Sequence, residues 1–200
     1  MEIPDRMFKV VVIGGSAGSF SVVSKILSQL DPRFPLPLVL CLHRLKHVRS
    51  GLVEGLNMKS KIPVVEPYDK DKLKPGVAML APSNYHLFIE FDSSISLSTE
   101  ETHNHSRPSI DYAFLSAAYS FREKALGIIL TGANKDGAKG MKSIFDKKGY
   151  TIVQDPRTCD VDTMPQAALK LFKPDQILKP EEIVKVLNSL VSLTVKKEKL

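Results

Sequence analysis

Apolar positions along this chain follow two periods. Continuous runs at residues 10–13, 38–42, 77–80, 126–130 and 150–153 have the length of buried strands, and 63–66 adds a shorter one. Between them, apolar residues recur three and four positions apart. The helix ending at residue 30 carries Val22, Val23, Ile26, Leu27 and Leu30 on one face, and residues 50–58 predict a shorter helix. Ser109, just behind Pro108, is a good N-cap for a helix to about residue 122, with Ile110, Phe114, Leu115, Ala118 and Tyr119 inward. A further helix turns Met141, Ile144 and Phe145 inward and stops at Gly149. A loop through Met164 and Pro165 precedes a short helix from Gln166, and an amphipathic helix over 181–193 follows. Residues 85–91 and 95–99 flank Asp92-Ser93-Ser94 and predict a hairpin, so the sheet is expected to be mixed. Strands alternating with helices define an α/β fold: a doubly wound, mostly parallel sheet with a β-hairpin insertion and helices on both faces, Rossmann-like and three-layered.

Composition narrows the setting. A chain of 200 residues, 43% hydrophobic and without a Pro/Ser-rich linker, suits one domain over 1–200, with a core at 8–193 and a basic tail at 194–200. No apolar run approaches a membrane span and the first residues lack the order of a signal peptide, so a cytoplasmic protein with no membrane insertion is expected. Two cysteines, Cys41 and Cys159, cannot build a disulfide framework. The net charge of +6 is moderate, and basic residues interleaved with aromatics on one face are not evident, so nucleic acid is not expected as a partner. An acidic protein partner suits the same charge.

The chemistry collects where strands end. Residues 9–30 read strand, glycine turn, helix, and Gly14-x-Ser16-x-Gly18 fits a nucleophile elbow, in which glycines permit a sharp turn that exposes a serine hydroxyl near free N–H groups. Dinucleotide and Walker patterns fail here: Ile13 and Ser16 stand where glycine is required, and no lysine follows the turn. From this stretch alone a plain structural turn or another phosphate cradle remains open. His43 follows the second strand, and Asp136 lies in the glycine-bounded loop after residues 126–130. In an open parallel sheet such groups share one rim, and serine, imidazole and carboxylate work as a unit, the base taking the hydroxyl proton and the acid fixing the base. Backbone N–H groups after Ser16, at Ala17 and Gly18, and Ala133 opposite are the oxyanion candidates, with Met164 on the substrate side. His103-x-His105 lacks a third ligand at a recognisable spacing, so no metal is expected there. His86 reads as structural and His47 as solvated or at the rim of a cleft. A Cys41–His43 pair on one strand has poor approach geometry.

Taken together, VVVIGGSAGS, His43, LAPSNYHLFIE, SRPSIDYAFLSAA, GIILTGANKDGAKGM and QDPRTCDVDTMPQAA resemble the catalytic domain of the CheB-type protein-glutamate methylesterase family of bacterial chemotaxis, over residues 9–190. The resemblance maps that family's triad onto Ser16, His43 and Asp136. It implies removal of methyl groups from γ-glutamyl methyl esters on methyl-accepting chemotaxis receptors, releasing methanol, with glutamine deamidation in some members and no cofactor. Departures are specific. Ala17 replaces the usual threonine, Ala133-Asn134 replaces Met-Gly, and Leu42 replaces the glutamine before the histidine. The segment before residue 9 is too short for the receiver domain that family members often carry, so either a free-standing, differently regulated catalytic domain or one excised from a longer protein is expected. Two rivals stand beside this reading: a non-catalytic signalling module of the same fold, and an esterase for small acyl esters. Arg44, Lys46 and Arg49 are a candidate basic rim for an acidic receptor helix.

Overall fold

The computed structural model describes residues 7–44 and 51–197, with side chains described as far as residue 192. In chain order the strands are β1 (Val10–Gly15), β2 (Leu38–Leu42), β3 (Val64–Val65), β4 (Ala78–Leu80), β5 (His86–Ile89), β6 (Ile95–Ser98), β7 (Ala125–Ile129), β8 (Tyr150–Gln154) and β9 (Gln176–Leu178). The helices are α1 (Ser19–Gln29), α2 (Leu52–Asn57), α3 (Ile110–Phe121), α4 (Ala138–Asp146), α5 (Thr163–Leu169) and α6 (Pro180–Lys197).

Seven strands form one sheet in the order β3-β4-β2-β1-β7-β8-β9, and every pairing in it is parallel. Because side chains alternate across a strand, β1 sends Val11 and Ile13 to one core and Val10 and Val12 to the other. The first core packs α1, α2 and α6 on the sheet; the second packs α3, α4, α5 and the hairpin. Burial of both faces explains why the strands read as unbroken apolar runs.

Several expectations are corrected. The hairpin β5–β6 is a separate two-stranded sheet, so the main sheet is not mixed. The backbone of Ile89, in β5, bonds to α3 instead: its N–H donates to Ser116 Oγ at 3.0 Å, and Ser120 Oγ donates to its carbonyl at 2.7 Å. On α3 the buried stripe is Ile110, Ala113, Phe114, Ala117, Ala118 and Phe121, while Leu115 and Tyr119 are 38% and 53% exposed. Phe145 is also partly exposed and packs on Phe172 rather than into the sheet. Helix α5 begins at Thr163, so Met164 and Pro165 are helical; proline is tolerated in a first turn, where its missing N–H has no partner to lose. Strand β9 was not anticipated.

Chain direction sets the position of the site. From β1 the chain builds outward through β2 and β4 to β3, then returns to β7 on the opposite side of β1. The crevice outside the carboxyl ends of β1 and β7 is therefore the topological switch point, where open α/β sheets bind ligands.

Candidate active site

Three neighbouring strand ends supply the expected residues. Gly15 of β1 is in register with Leu42 of β2, and the next backbone bond, His43 N–H to the Gly15 carbonyl at 3.0 Å, extends that ladder. Ser16 and His43 thus begin adjacent turns on strands about 5 Å apart. On the other flank, Ser16 N–H donates to the Thr131 carbonyl at 3.0 Å, which joins the turn after β1 to the loop after β7. That loop carries Asp136.

His43 Nε2 lies 2.8 Å from Asp136 Oδ2. The carboxylate is fully buried and accepts four further hydrogen bonds: from Ile110 N–H at 2.7 Å, Asn104 Nδ2 at 3.1 Å, Ser109 Oγ at 3.1 Å and Asp111 N–H at 3.3 Å. Ile110 and Asp111 open α3, so Asp136 sits on the positive end of that helix. Burial pushes the Asp136 carboxyl up, but the bonds from His43, Asn104 and Ile110 outweigh it, and the net shift is downward. An ionised Asp136 accepts Nε2–H from His43 and leaves Nδ1 as the basic nitrogen. Ser106 Oγ and Asn134 Nδ2 approach Nδ1 at 3.4 and 3.3 Å, and Asn134 Oδ1 accepts Asp136 N–H at 3.1 Å.

The turn after Ser16 has the form of an anion hole. The Ser16 carbonyl accepts from both N–H and Oγ of Ser19, at 2.9 and 2.6 Å, and the Ala17 carbonyl accepts from Thr131 Oγ1 at 3.0 Å. In a trans peptide the N–H points opposite to its carbonyl, so Ala17 and Gly18 turn their N–H groups away from these partners. Neither N–H, nor that of Ala133, makes a hydrogen bond among the described residues. Gly18 holds a left-handed φ of 79°, at the start of α1. Gly132 permits a close approach: a Cβ there would meet Met164 Cε at 2.7 Å and Ser16 Cβ at 3.0 Å. Met164 thus packs beside Ser16 from below. Its side chain is fully buried beneath Gly132, and its N–H donates to the Gly132 carbonyl at 2.9 Å.

The remaining candidates fall outside this centre. His86 is buried, with Nε2 against the Glu101 carbonyl at 2.9 Å and Nδ1 accepting Ser109 N–H at 3.1 Å, so it steadies the start of α3. Cys41 is buried against the Ser109 carbonyl, and burial, reinforced by the Asp136 charge, raises its thiol well above the ordinary range. Arg44 turns inward, its side chain 6% exposed and paired with Glu66, which removes it from the expected basic rim. His47, Lys46 and Arg49 lie outside the described residues. His103, Asp111 and Asp136 approach one another closely enough to share an ion, yet Asp136 already accepts five hydrogen bonds. Asn104, Ser106, Ser109 and Asn134 were not anticipated around the imidazole and carboxylate. The runs NHSRPSID and TGANKDG contain them, but only tertiary folding brings them to His43.

The CheB methylesterase family model matches residues 11–187. A Leptospira interrogans protein named protein-glutamate methylesterase/protein-glutamine glutaminase is 37% identical over 179 residues, 90% of this chain and 93% of that protein. A Geobacter metallireducens protein of the same name is 36% identical over 94% of this chain, which spans only 54% of that relative. Among solved structures, the catalytic domain of Thermotoga maritima CheB methylesterase superposes with a TM-score of 0.87 at 30% identity, covering 92% of this chain and all of that domain. The chain belongs to the CheB methylesterase family.

Proposed function

We propose that this protein is a protein-glutamate methylesterase acting in the cytoplasm on methylated chemoreceptor helices, with Ser16, His43 and Asp136 as its catalytic triad. The observation that carries the reading is the 2.8 Å bond between His43 and a buried, ionised Asp136, one ladder step from Ser16. Ser16 Oγ attacks the γ-ester carbonyl while His43 Nδ1 takes its proton, and Asp136 stabilises the imidazolium through Nε2–H. Charge on the tetrahedral oxygen falls to the N–H groups of Ala17, Gly18 and Ala133, each such donor worth about 3 kcal/mol. The C–O bond to the methoxy group breaks, His43 returns the proton, and methanol leaves. Water, deprotonated by His43, then cleaves the acyl-enzyme to free glutamate and Ser16. An amide nitrogen in place of the methoxy oxygen gives deamidation by the same steps, matching the double name of the relatives.

The departures from the common family pattern leave this machinery intact, because Ala17 and Ala133 contribute backbone rather than side chain. Ser106 places a hydroxyl 3.4 Å from Nδ1, but it belongs to the turn before α3 and not to the glycine-bounded elbow that opens α1. Ser16→Ala should cut methanol release from methylated receptor by about 10⁴-fold or more, whereas Ser106→Ala should cost less than about tenfold. Unchanged release by the Ser16 variant, or near-complete loss in the Ser106 variant alone, would overturn the assignment.

A further inference from the structure

Behind the wall that holds Asp136 lies a cleft of about 460 Å³ between the loop after β7, α4 and α5. Its apolar lining comes from Ala138, Ala167 and Leu171, and the exposed Lys135, Lys139 and Lys170 line it as well. Leu171 is 43% exposed and lines this cleft. All three lysines are exposed, and among the described residues none of them is in an ion pair. The acid that lines the cleft, Asp111, is buried, with Gly140 N–H on one oxygen at 2.8 Å and Asn104 on the other at 3.1 Å.

The cleft is continuous with the catalytic centre along two paths. Asn104 Nδ2 faces both Asp111 and Asp136, each at 3.1 Å, so one side chain separates the cleft from the triad. Thr163, at the cleft wall, precedes Met164, which packs under Gly132 beside Ser16.

We infer that this cleft docks the acidic amphipathic helix flanking the ester to be cleaved: one apolar side chain seats on Ala138, Ala167 and Leu171, and carboxylates on either side meet Lys135, Lys139 and Lys170. The inference rests on the esterase reading above and specifies where the protein substrate is held. Charge complementarity selects the occupant. Three lysines without an ion pair beside apolar lining suit a helix that alternates glutamate with small apolar residues, and among the described residues no aromatic ring lines the cleft to stack a nucleobase. The docking site also takes the place of the rim that Arg44, being turned inward, does not supply.

The test uses two synthetic helical peptides, each with one γ-glutamyl methyl ester, flanked by glutamates in one and by lysines in the other, with p-nitrophenyl acetate as a small ester. The acidic peptide should show a KM at least tenfold below the basic one, and the difference should shrink with salt. Lys135→Glu/Lys139→Glu/Lys170→Glu should reverse that preference. Ala167→Trp, which fills the cleft, should raise KM for the acidic peptide at least tenfold more than for the small ester. Equal KM values for the two peptides, or an unreversed preference in the triple variant, would overturn the docking site while leaving the esterase standing. Binding of the acidic peptide to wild-type protein by fluorescence anisotropy, lost in the triple variant but accompanied by no methanol release, would support docking and defeat the esterase reading.

Discussion

Asp136 and Asp111 lie within one cluster yet shift in opposite directions, and the difference is a matter of donors. Asp136 accepts five hydrogen bonds, including one from His43 and two from the N-terminus of α3, so its carboxyl is held below the usual range. Asp111 is dominated by burial, with the Asp136 charge adding to it, and moves upward despite the Gly140 and His103 contacts. The sign for stability follows. Asp136 titrates near 3.8 when unfolded and lower when folded, so its ionised form stabilises the protein fully above about pH 4, and that contribution is lost as pH falls through the folded value. Asp136→Asn should therefore lower the urea midpoint at neutral pH, with a deficit that narrows below about pH 4. It should also reduce ester hydrolysis by about 10³- to 10⁴-fold, because an amide neither fixes the Nε2–H tautomer nor stabilises imidazolium. The candidate triad was legible in the chain because each member follows an apolar run. Its surroundings were not. Asn104 reaches Asp136 from a turn in which Asn104 and His105 hold φ of 49° and 61°, and Arg44 follows His43 but folds back onto Glu66.

At the scale of elements, the ends of β1 and β7 are fastened by Thr131. Its hydroxyl lies 3.0 Å from the Ala17 carbonyl and 2.9 Å from the Val161 carbonyl, its N–H donates to Gln154 Oε1 at 2.9 Å, and the residue is fully buried. Removing the hydroxyl takes the donor from one of these carbonyls and the acceptor from Val161 N–H, which lies 3.0 Å from Oγ1, and frees the peptide that aims Gly18 N–H. Thr131→Val should cost about 1–3 kcal/mol in urea unfolding, and turnover of a small ester should fall by about tenfold or more at 25 °C. An unchanged rate in a destabilised variant would separate the fastening role from the aiming role. Periodicity located most elements, since buried parallel strands and amphipathic helices write themselves plainly. It erred where tertiary partners decide. On α3 the hairpin and α4 both claim surface, which turns the buried stripe away from Leu115 and Tyr119, and β9 is three residues at a sheet edge, too short to show a period.

At the scale of the molecule, the candidate site draws on residues 16, 43, 104–111 and 131–136, and both hydrophobic cores press on the strands that carry them. No single lid or subdomain contains it. Activity and structure should accordingly fail together: esterase activity and far-UV circular dichroism should share one midpoint in a urea titration, and activity lost at distinctly lower urea would point to local opening of the 131–137 loop. Among the described residues no helix is long and apolar enough to cross a membrane.

The double duty of Asp136 bears on how this scaffold would change over generations. The same carboxylate that holds the imidazole also accepts the first N–H groups of α3, so a lineage that discards it would lose part of its architecture along with the proposed triad. Ser16 carries no such mortgage on the fold. Descent from enzyme to mere binder therefore runs most easily through the serine, and a relative that keeps the acid but lacks the hydroxyl would be a well-built protein that has given up chemistry.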